Sequence, residues 1–284
     1  MEIKMKDRTG NLISVEEDKF TLFLYKNYFG RLLLKVMYKS WFSKLVGKFM
    51  DSPLSKYKIN KFIKNNHIDM SSYSKVDYQS FNDFFTRQKA NLIIDNNKNS
   101  LISPCDAKLT VYEIKANTLF KIKNSLYLVK DLINNEVVAK EYLKGYALVF
   151  RLCVDDYHRY IYIDDGYQKN YHHIDGVLHT VRPIAQLKER VFAQNEREWC
   201  VLHNKNIGNI VEVDIGALCV GKIVNLHSNH QYKRGEEKGY FKFGASTIVL
   251  FIHDDIKIDP DIIKNSNEGI ETIVKVGEKI GQKK

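Results

Sequence analysis

The four cysteines, Cys105, Cys153, Cys200 and Cys219, lie far apart and include no CxxC pair, which argues against a zinc ribbon. Met1 to Phe20 is rich in charge and has no apolar run, so no signal peptide is expected there. A disulfide framework is not expected without one, and reduced thiols in a cytoplasmic protein are the simplest reading. No stretch reaches the roughly 20 apolar residues that span a bilayer. The nine histidines contain no HxxxH or HExxH pair, so no metal is expected. There is no repeat of fixed period and no low-complexity tract. No helix-turn-helix, zinc-finger or RNP-like pattern appears, so nucleic acid is not expected as a partner despite a net charge of +10.

What the chain does have is basic charge, with 44 Lys+Arg against 34 Asp+Glu. Such an excess favours a polyanionic partner, and an anionic membrane surface fits best once nucleic acid is set aside. From Thr21 to Met50 no acidic residue occurs, while Lys26, Arg31, Lys35, Lys39, Lys44 and Lys48 recur every four or five positions among Leu, Phe, Tyr and Trp. Two readings suit this pattern. A helix at a membrane interface lets Lys and Arg snorkel to phosphates while the apolar face enters the acyl boundary. A core-packed helix with a solvated basic face gives the same periodicity. The missing acids favour the membrane.

Asp51-Ser-Pro breaks this region, and a polar helix is expected around Lys56 to Asn66. Phe81, Phe84 and Phe85 then form a helical apolar stripe. Ala90 to Ser100 reads as a polar surface connection. From Leu101 the character turns to β, with strands expected at Tyr146–Leu152, Tyr160–Ile163, Gly176–Val181, Ile210–Ile215, Ala217–Val224 and Ser246–Ile252. The fold class is therefore α+β. Residues 1–100 are expected to form membrane-facing helices, and residues 101–284 a compact β-rich domain.

The run Gly235-Glu-Glu-Lys-Gly-Tyr-Phe-Lys-Phe-Gly-Ala-Ser-Thr-Ile-Val-Leu-Phe resembles the processing region of phosphatidylserine decarboxylases. Phe81-Asn-Asp-Phe-Phe-Thr-Arg, Ser103-Pro-Cys-Asp-Ala, Asp156-Tyr-His-Arg, and Asn195-Glu-Arg-Glu with Val213–Gly221 resemble further segments of that family, in the expected order. Each is weak alone; together they identify the chain as a member. The resemblance runs from about Phe81 to the C-terminus.

A serine after small residues, at the entrance to a buried strand, has a chemical use. Its hydroxyl can attack the preceding carbonyl and turn the peptide bond into an ester. Elimination then leaves dehydroalanine, which hydrolyses to a pyruvoyl group. Here Ser246 would attack the carbonyl of Ala245, and the chain would part between residues 245 and 246. The resulting ketone condenses with the substrate amine and takes up the electrons left when carbon dioxide departs. By the same resemblance, His158 is the histidine implicated in decarboxylation, as proton donor to the product carbanion. Asp106 matches the carboxylate of the family's Asp-His-Ser relay, which orients an imidazole.

Three positions depart from the family pattern. Ile161 stands where the relay histidine is expected and can neither accept nor donate a proton. Ala245 replaces the usual glycine and disfavours positive φ. Ala107 follows the relay Asp in place of glycine. Two expectations follow. In one, another histidine supplies the base: His179 on the expected strand Gly176–Val181 is the first candidate, and His172 and His173 read as loop residues. In the other, the chain never matures and is a silent homologue that binds anionic lipid. The active reading implies conversion of phosphatidylserine to phosphatidylethanolamine with a self-derived pyruvoyl cofactor. The partners are anionic membrane lipid and the chain's own two fragments as a heterodimer, with a homodimer as a further candidate state. The expected location is the cytoplasmic face of the cell membrane, peripherally bound.

Overall fold

The computed structural model describes residues 2–74, 77–115, 119–122, 125–218, 222–244 and 246–284. Its centre is a large sheet. Along one path the strands run His230–Tyr232, Gly166–Gln168, Arg197–Asn204, Gly208–Ile215, Ser246–Ile252, Tyr146–Leu152, Ala107–Glu113, Glu271–Val274, Glu2–Lys6 and Leu12–Glu16. His172–Ile174 pairs off this path with Arg197–Asn204. Every pairing is antiparallel except that of Glu2–Lys6 with Glu271–Val274.

Period-two alternation splits the central strands between two cores. In Ser246–Ile252 the residues Val249 and Phe251 face one core. Ile248, Leu250 and Ile252 face the other, together with Leu148, Phe150 and Leu152 of Tyr146–Leu152. Helices cover the first face, bringing Leu24, Tyr25, Leu34, Leu132 and Phe192. Two three-stranded sheets cover the second. One is Ile223–Asn225, Glu237–Phe241 and Arg159–Ile161; the other is Ile256–Ile258, Lys279–Lys283 and Ser100–Ile102. With both faces buried, the central strand is apolar almost throughout, as its sequence requires.

The chain is thus α+β with a large sheet-rich body, and its start differs from expectation. Residues before Lys19 form a hairpin, Glu2–Lys6 with Leu12–Glu16, on the edge of the main sheet. The signal was the alternation Glu-Ile-Lys-Met-Lys, of which Ile3 and Met5 are buried. The basic stretch is not one helix but three: α1 (Lys19–Lys26), α2 (Tyr28–Met37) and α3 (Ser40–Asp51). Asn27 makes the first break, its Oδ1 accepting the Phe29 and Gly30 amides at 2.9 and 3.4 Å. Gly30 lets α2 cross tightly over α1, since a Cβ there would lie 2.0 Å from the Phe23 carbonyl oxygen. The polar helix is α4 (Lys58–Asn65), and the phenylalanine stripe is α5 (Phe81–Phe85).

Two expected strands are corrected. Gly176–Val181 is irregular, because its backbone bonds go elsewhere. Leu178 N–H donates to the Tyr38 carbonyl at 2.7 Å and His179 N–H to Asn195 Oδ1 at 3.0 Å. Of Ala217–Val224, only Ile223 and Val224 lie in a strand among the described residues; Cys219, Val220 and Gly221 fall outside them.

Candidate active site

Ser246 is the first residue of the central strand. It pairs with Leu152 on one side, while Thr247 pairs with Ile215 on the other. The serine is fully buried, and its Oγ has no hydrogen-bond partner. A buried hydroxyl left unsatisfied costs about 1–3 kcal/mol, so its presence calls for an explanation. Two residues upstream, Gly244 takes a φ of +137°, a conformation L side chains rarely adopt. The unusual backbone demand therefore falls on a glycine the sequence retains. Ala245, the other half of the expected cleavage site, lies outside the described residues.

The approach to Ser246 is anchored to the helices. Phe243 N–H donates to Asn82 Oδ1 of α5 at 2.8 Å, and Asn82 Nδ2 donates to Asp51 Oδ1 of α3 at 3.0 Å. Lys242 Nζ reaches the same Asp51 carboxylate at 3.0 Å. Phe243 also packs edge-on against Phe81 and Phe85. The phenylalanine stripe thus serves as core and as the seat of the segment before Ser246.

His158 precedes the strand Arg159–Ile161, in the layer covering the face that carries Ser246, Ile248 and Leu250. It is fully buried, with its ring 4.1 Å from that of Phe85. Its Nδ1 lies 2.9 Å from the Asp156 carbonyl oxygen. A carbonyl only accepts, so Nδ1 carries the proton. Burial pushes the imidazole pKa down to about 3, against the opposing pull of the Asp156 carbonyl. The ring is therefore neutral at pH 7, and Nε2 presents a bare lone pair with no partner. In this state His158 accepts a proton; it can donate only one it has first taken. Its loop is held by Lys108, whose Nζ contacts both Asp156 oxygens at 2.7 Å. Burial opposes the Lys108 charge, but the Asp156 carboxylate outweighs it and keeps the ammonium protonated.

Asp106 is buried, but its partner is not a histidine. Lys89 Nζ contacts its two oxygens at 3.0 and 2.9 Å, and Val276 N–H donates to it at 2.8 Å. Ile161 N–H donates to the Pro104 carbonyl, so position 161 does lie beside this loop, but its side chain joins the apolar core. An ammonium thus neutralises the carboxylate that the family pattern pairs with imidazole. Replacing Lys89 with Met should cost roughly 3 kcal/mol of stability, because a buried carboxylate loses its main counter-charge. Adding Asp106→Asn should restore part of that loss, as read by urea unfolding of the two variants.

His179 sits on the other side of the sheet. Its Nδ1 lies 3.1 Å from the Tyr25 hydroxyl, and its ring packs on Tyr38 at 4.8 Å. Ser246 is not among its partners. His172 and His173 lie on the short strand His172–Ile174, not in a loop, where His172 stacks on Trp199.

A further charged group lies beneath the strand pair Ile223–Asn225 and Glu237–Phe241. Lys238 Nζ is 2.9 Å from Glu212 Oε1 and 3.3 Å from Asp214 Oδ2, all three side chains being buried. Burial pushes the Glu212 carboxyl up to about 8, against the Lys238 charge and with that of Asp214. Sequence reasoning missed this group: Val-Glu-Val-Asp-Ile alternates like a strand with one wet face.

Two cavities flank these residues. The larger, about 890 Å³, is lined by Lys89, Asp106, Asp155 and Asp156 among others. The smaller, about 360 Å³, lies between α3 and the end of strand Gly208–Ile215, with Ser40, Lys44, Glu196, Gly216 and Lys222 in its wall. It begins one residue beyond Ile215, the register partner of Thr247.

The profile of the family described as phosphatidylserine decarboxylase matches residues 81–282. The chain is 48% identical over 264 residues to phosphatidylserine decarboxylase proenzyme 2 of Clostridium acetobutylicum, covering 92% of this chain and 90% of that protein. It is 41% identical over 286 residues to the phosphatidylserine decarboxylase proenzyme of Clostridium tetani, covering 98% and 96%. With that of Clostridium botulinum, strain Langeland, identity is 43% over 288 residues, covering 98% of each.

Proposed function

Since the chain belongs to the phosphatidylserine decarboxylase family, we propose that it decarboxylates phosphatidylserine to phosphatidylethanolamine, using a pyruvoyl group made from its own Ser246. The observation that carries this reading is the buried, unpartnered Ser246 Oγ two residues after a positive-φ glycine.

Maturation begins when Ser246 Oγ attacks the Ala245 carbonyl carbon. The peptide C–N bond breaks, an ester forms, and residue 246 gains a free amine. Loss of the Ser246 α-proton expels the Ala245 carboxylate and leaves dehydroalanine. Water then adds and ammonia leaves, giving a chain of residues 1–245 and one of 246–284 with a keto cap. His158 is taken as the base because its Nε2 is unprotonated and has no partner and it lies in the layer over the Ser246 face, whereas His179 packs with Tyr25 on the opposite face.

A ketone at this position supplies the sink for the electrons released with carbon dioxide. The chain's own residues do the rest. His158 Nε2 takes a proton and returns it to the product carbon, held in register by its Nδ1–H bond to the Asp156 carbonyl. Lys108 fixes that loop through Asp156. The two fragments stay together as a heterodimer. The short one contributes Ser246–Ile252, flanked on both sides by strands of the long one, together with Glu271–Val274 and Lys279–Lys283, each paired with it.

The lipid headgroup fits the smaller cavity. The larger one is walled by five aspartates and Glu278 against Lys89 and Lys275, an acidic excess that repels an anionic lipid, whereas the smaller balances Glu196 and Glu198 with Lys44 and Lys222, which can meet a phosphate, and opens beside α3. Around that opening α1 to α3 expose Phe20, Phe29, Leu32, Trp41 and Leu45, interspersed with the exposed Lys26, Arg31, Lys35, Lys39, Lys44 and Lys48. Such a surface binds an anionic bilayer peripherally, each cation contributing roughly 1 kcal/mol. No described helix is long and apolar enough to cross a membrane. The location proposed is accordingly the cytoplasmic face of the cell membrane.

The test of maturation is the intact mass of the purified protein. Two fragments split at 245/246, the smaller lacking the elements of ammonia replaced by a ketone that reacts with hydrazine, support the assignment. An unbroken chain after incubation with phosphatidylserine vesicles supports the alternative, a silent lipid-binding homologue. Membrane docking is checked by fluorescence. Trp199 is buried, so a blue shift on adding anionic vesicles reports Trp41. The shift should weaken in high salt and on replacing Phe29 and Leu32 with serine; neutral vesicles should give little.

A further inference from the structure

Away from Ser246, the segment joining Ile223–Asn225 to Glu237–Phe241 gathers three donors: His227, His230 and Glu236. His230 begins the edge strand His230–Tyr232 and Glu236 immediately precedes Glu237–Phe241. The rings of His227 and His230 stack with centroids 4.2 Å apart and planes 16° off parallel. Both Nε2 atoms face the same carboxylate oxygen: His230 Nε2 is 2.6 Å from Glu236 Oε1, and His227 Nε2 is 3.7 Å from it. All three donor atoms lie within 4.8 Å of one another, and each side chain is about one-third exposed. We propose that His227, His230 and Glu236 bind a divalent transition-metal ion of the zinc class.

The bland alternative is an ion pair between His230 and Glu236. It accounts for one contact but not for the second imidazole aimed at the same oxygen. A tetrahedral zinc with nitrogen and oxygen ligands near 2.1 Å places its donor atoms about 3.4 Å apart. The observed 2.6 and 3.7 Å bracket that value; the two nearly parallel rings tilt out of their stack to bring both lone pairs onto one ion, and a water completes the fourth position. Two imidazoles and a carboxylate are donors that suit zinc, nickel or copper over magnesium or calcium. The groups are also positioned from behind. Glu236 Oε2 accepts the Lys233 amide at 3.0 Å, leaving Oε1 for the ion, and the His227 carbonyl accepts from Gln168 Nε2 at 2.8 Å. The Tyr162 ring packs about 6 Å from both imidazoles and walls the site on its inner side. The other grouping of this kind among the described residues, Cys153, Asp155 and Asp156, is already engaged: Lys108 holds Asp156 and Arg151 donates to Cys153.

A bound ion closes the loop between two strands of the sheet that carries Lys238, so it should stabilise the folded chain in proportion to its concentration. The test is titration of the chelator-treated, full-length protein with Zn²⁺ by calorimetry, and with Co²⁺ by visible absorption. One equivalent should bind, with tetrahedral Co²⁺ bands. Affinity should fall at least a hundredfold in His227→Ala and His230→Ala and be unchanged in His203→Ala. Zn²⁺ should raise the unfolding temperature of the parent but not of these two variants. Glu236→Gln, nearly isosteric, tests the site if an alanine variant has a lowered metal-free unfolding temperature. Absence of stoichiometric binding in the parent, or undiminished affinity in both His230→Ala and Glu236→Gln, overturns the proposal.

Discussion

Replacing Ser246 with alanine will leave a single 33.2 kDa chain, with no fragment beginning at residue 246 and no decarboxylation of phosphatidylserine. The loss is expected to be complete, because in the proposed chemistry that hydroxyl breaks the backbone and then departs with the Ala245 carboxylate, leaving the dehydroalanine from which the ketone forms. It will not come from unfolding. Ser246 is fully buried with Oγ unpaired, and removing an unsatisfied buried hydroxyl is neutral or slightly stabilising. The variant should therefore match or exceed the parent in urea resistance while being inactive. Electrophoresis, intact mass and a carbon dioxide release assay read the outcome. A cleaved Ser246→Ala chain, or one that still releases carbon dioxide, sinks the assignment of this serine.

Replacing His158 with glutamine should lower kcat by about 10²–10⁴, the usual worth of a positioned general base. Processing, followed separately by the rate of fragment appearance, should slow as well. The same variant carries a pH signature that a packing residue would lack. Burial holds the folded-state pKa near 3, below the ordinary histidine value of 6.5. Between those values the unfolded chain binds a proton that the folded chain does not. Stability from this group is then complete above about pH 7 and is lost as pH falls toward 3, a total on the order of 5 kcal/mol. His158→Gln should flatten that acid-side decline. Parallel slopes for the two proteins from pH 6.5 to 4 would show that His158 is not buried neutral in the native state.

Much of the fold was readable because local pattern and burial agree. Tyr146–Leu152 and Ser246–Ile252 are strands with the expected bounds, since a run apolar on both sides demands two covered faces. The phenylalanine stripe reads as a helix for the same reason. Gly176–Val181 failed as a strand although its composition is β-like, because Asn195 and the Tyr38 carbonyl satisfy its backbone in place of a neighbouring strand. Propensity cannot anticipate a side chain sixteen residues away.

The site divides the same way. Family pattern and chemistry singled out Ser246, His158 and Asp106 one residue at a time. Nothing in one dimension pairs Lys89 with Asp106, or Lys108 with Asp156, across loops distant in the chain. Glu212 and Asp214 alternate with valines as though they faced water, and only the second sheet laid over that face buries them with Lys238. The His158 protonation state likewise comes from enclosure and from the one carbonyl it meets.

Residue identity thus determined which chemical groups this chain possesses and the periodicity of its main elements, because both depend on neighbours within a few positions. Counter-charges, proton occupancy and the side of the sheet each histidine faces were decided by tertiary packing. Those properties depend on desolvation and on groups brought together from remote segments, which a linear order does not encode.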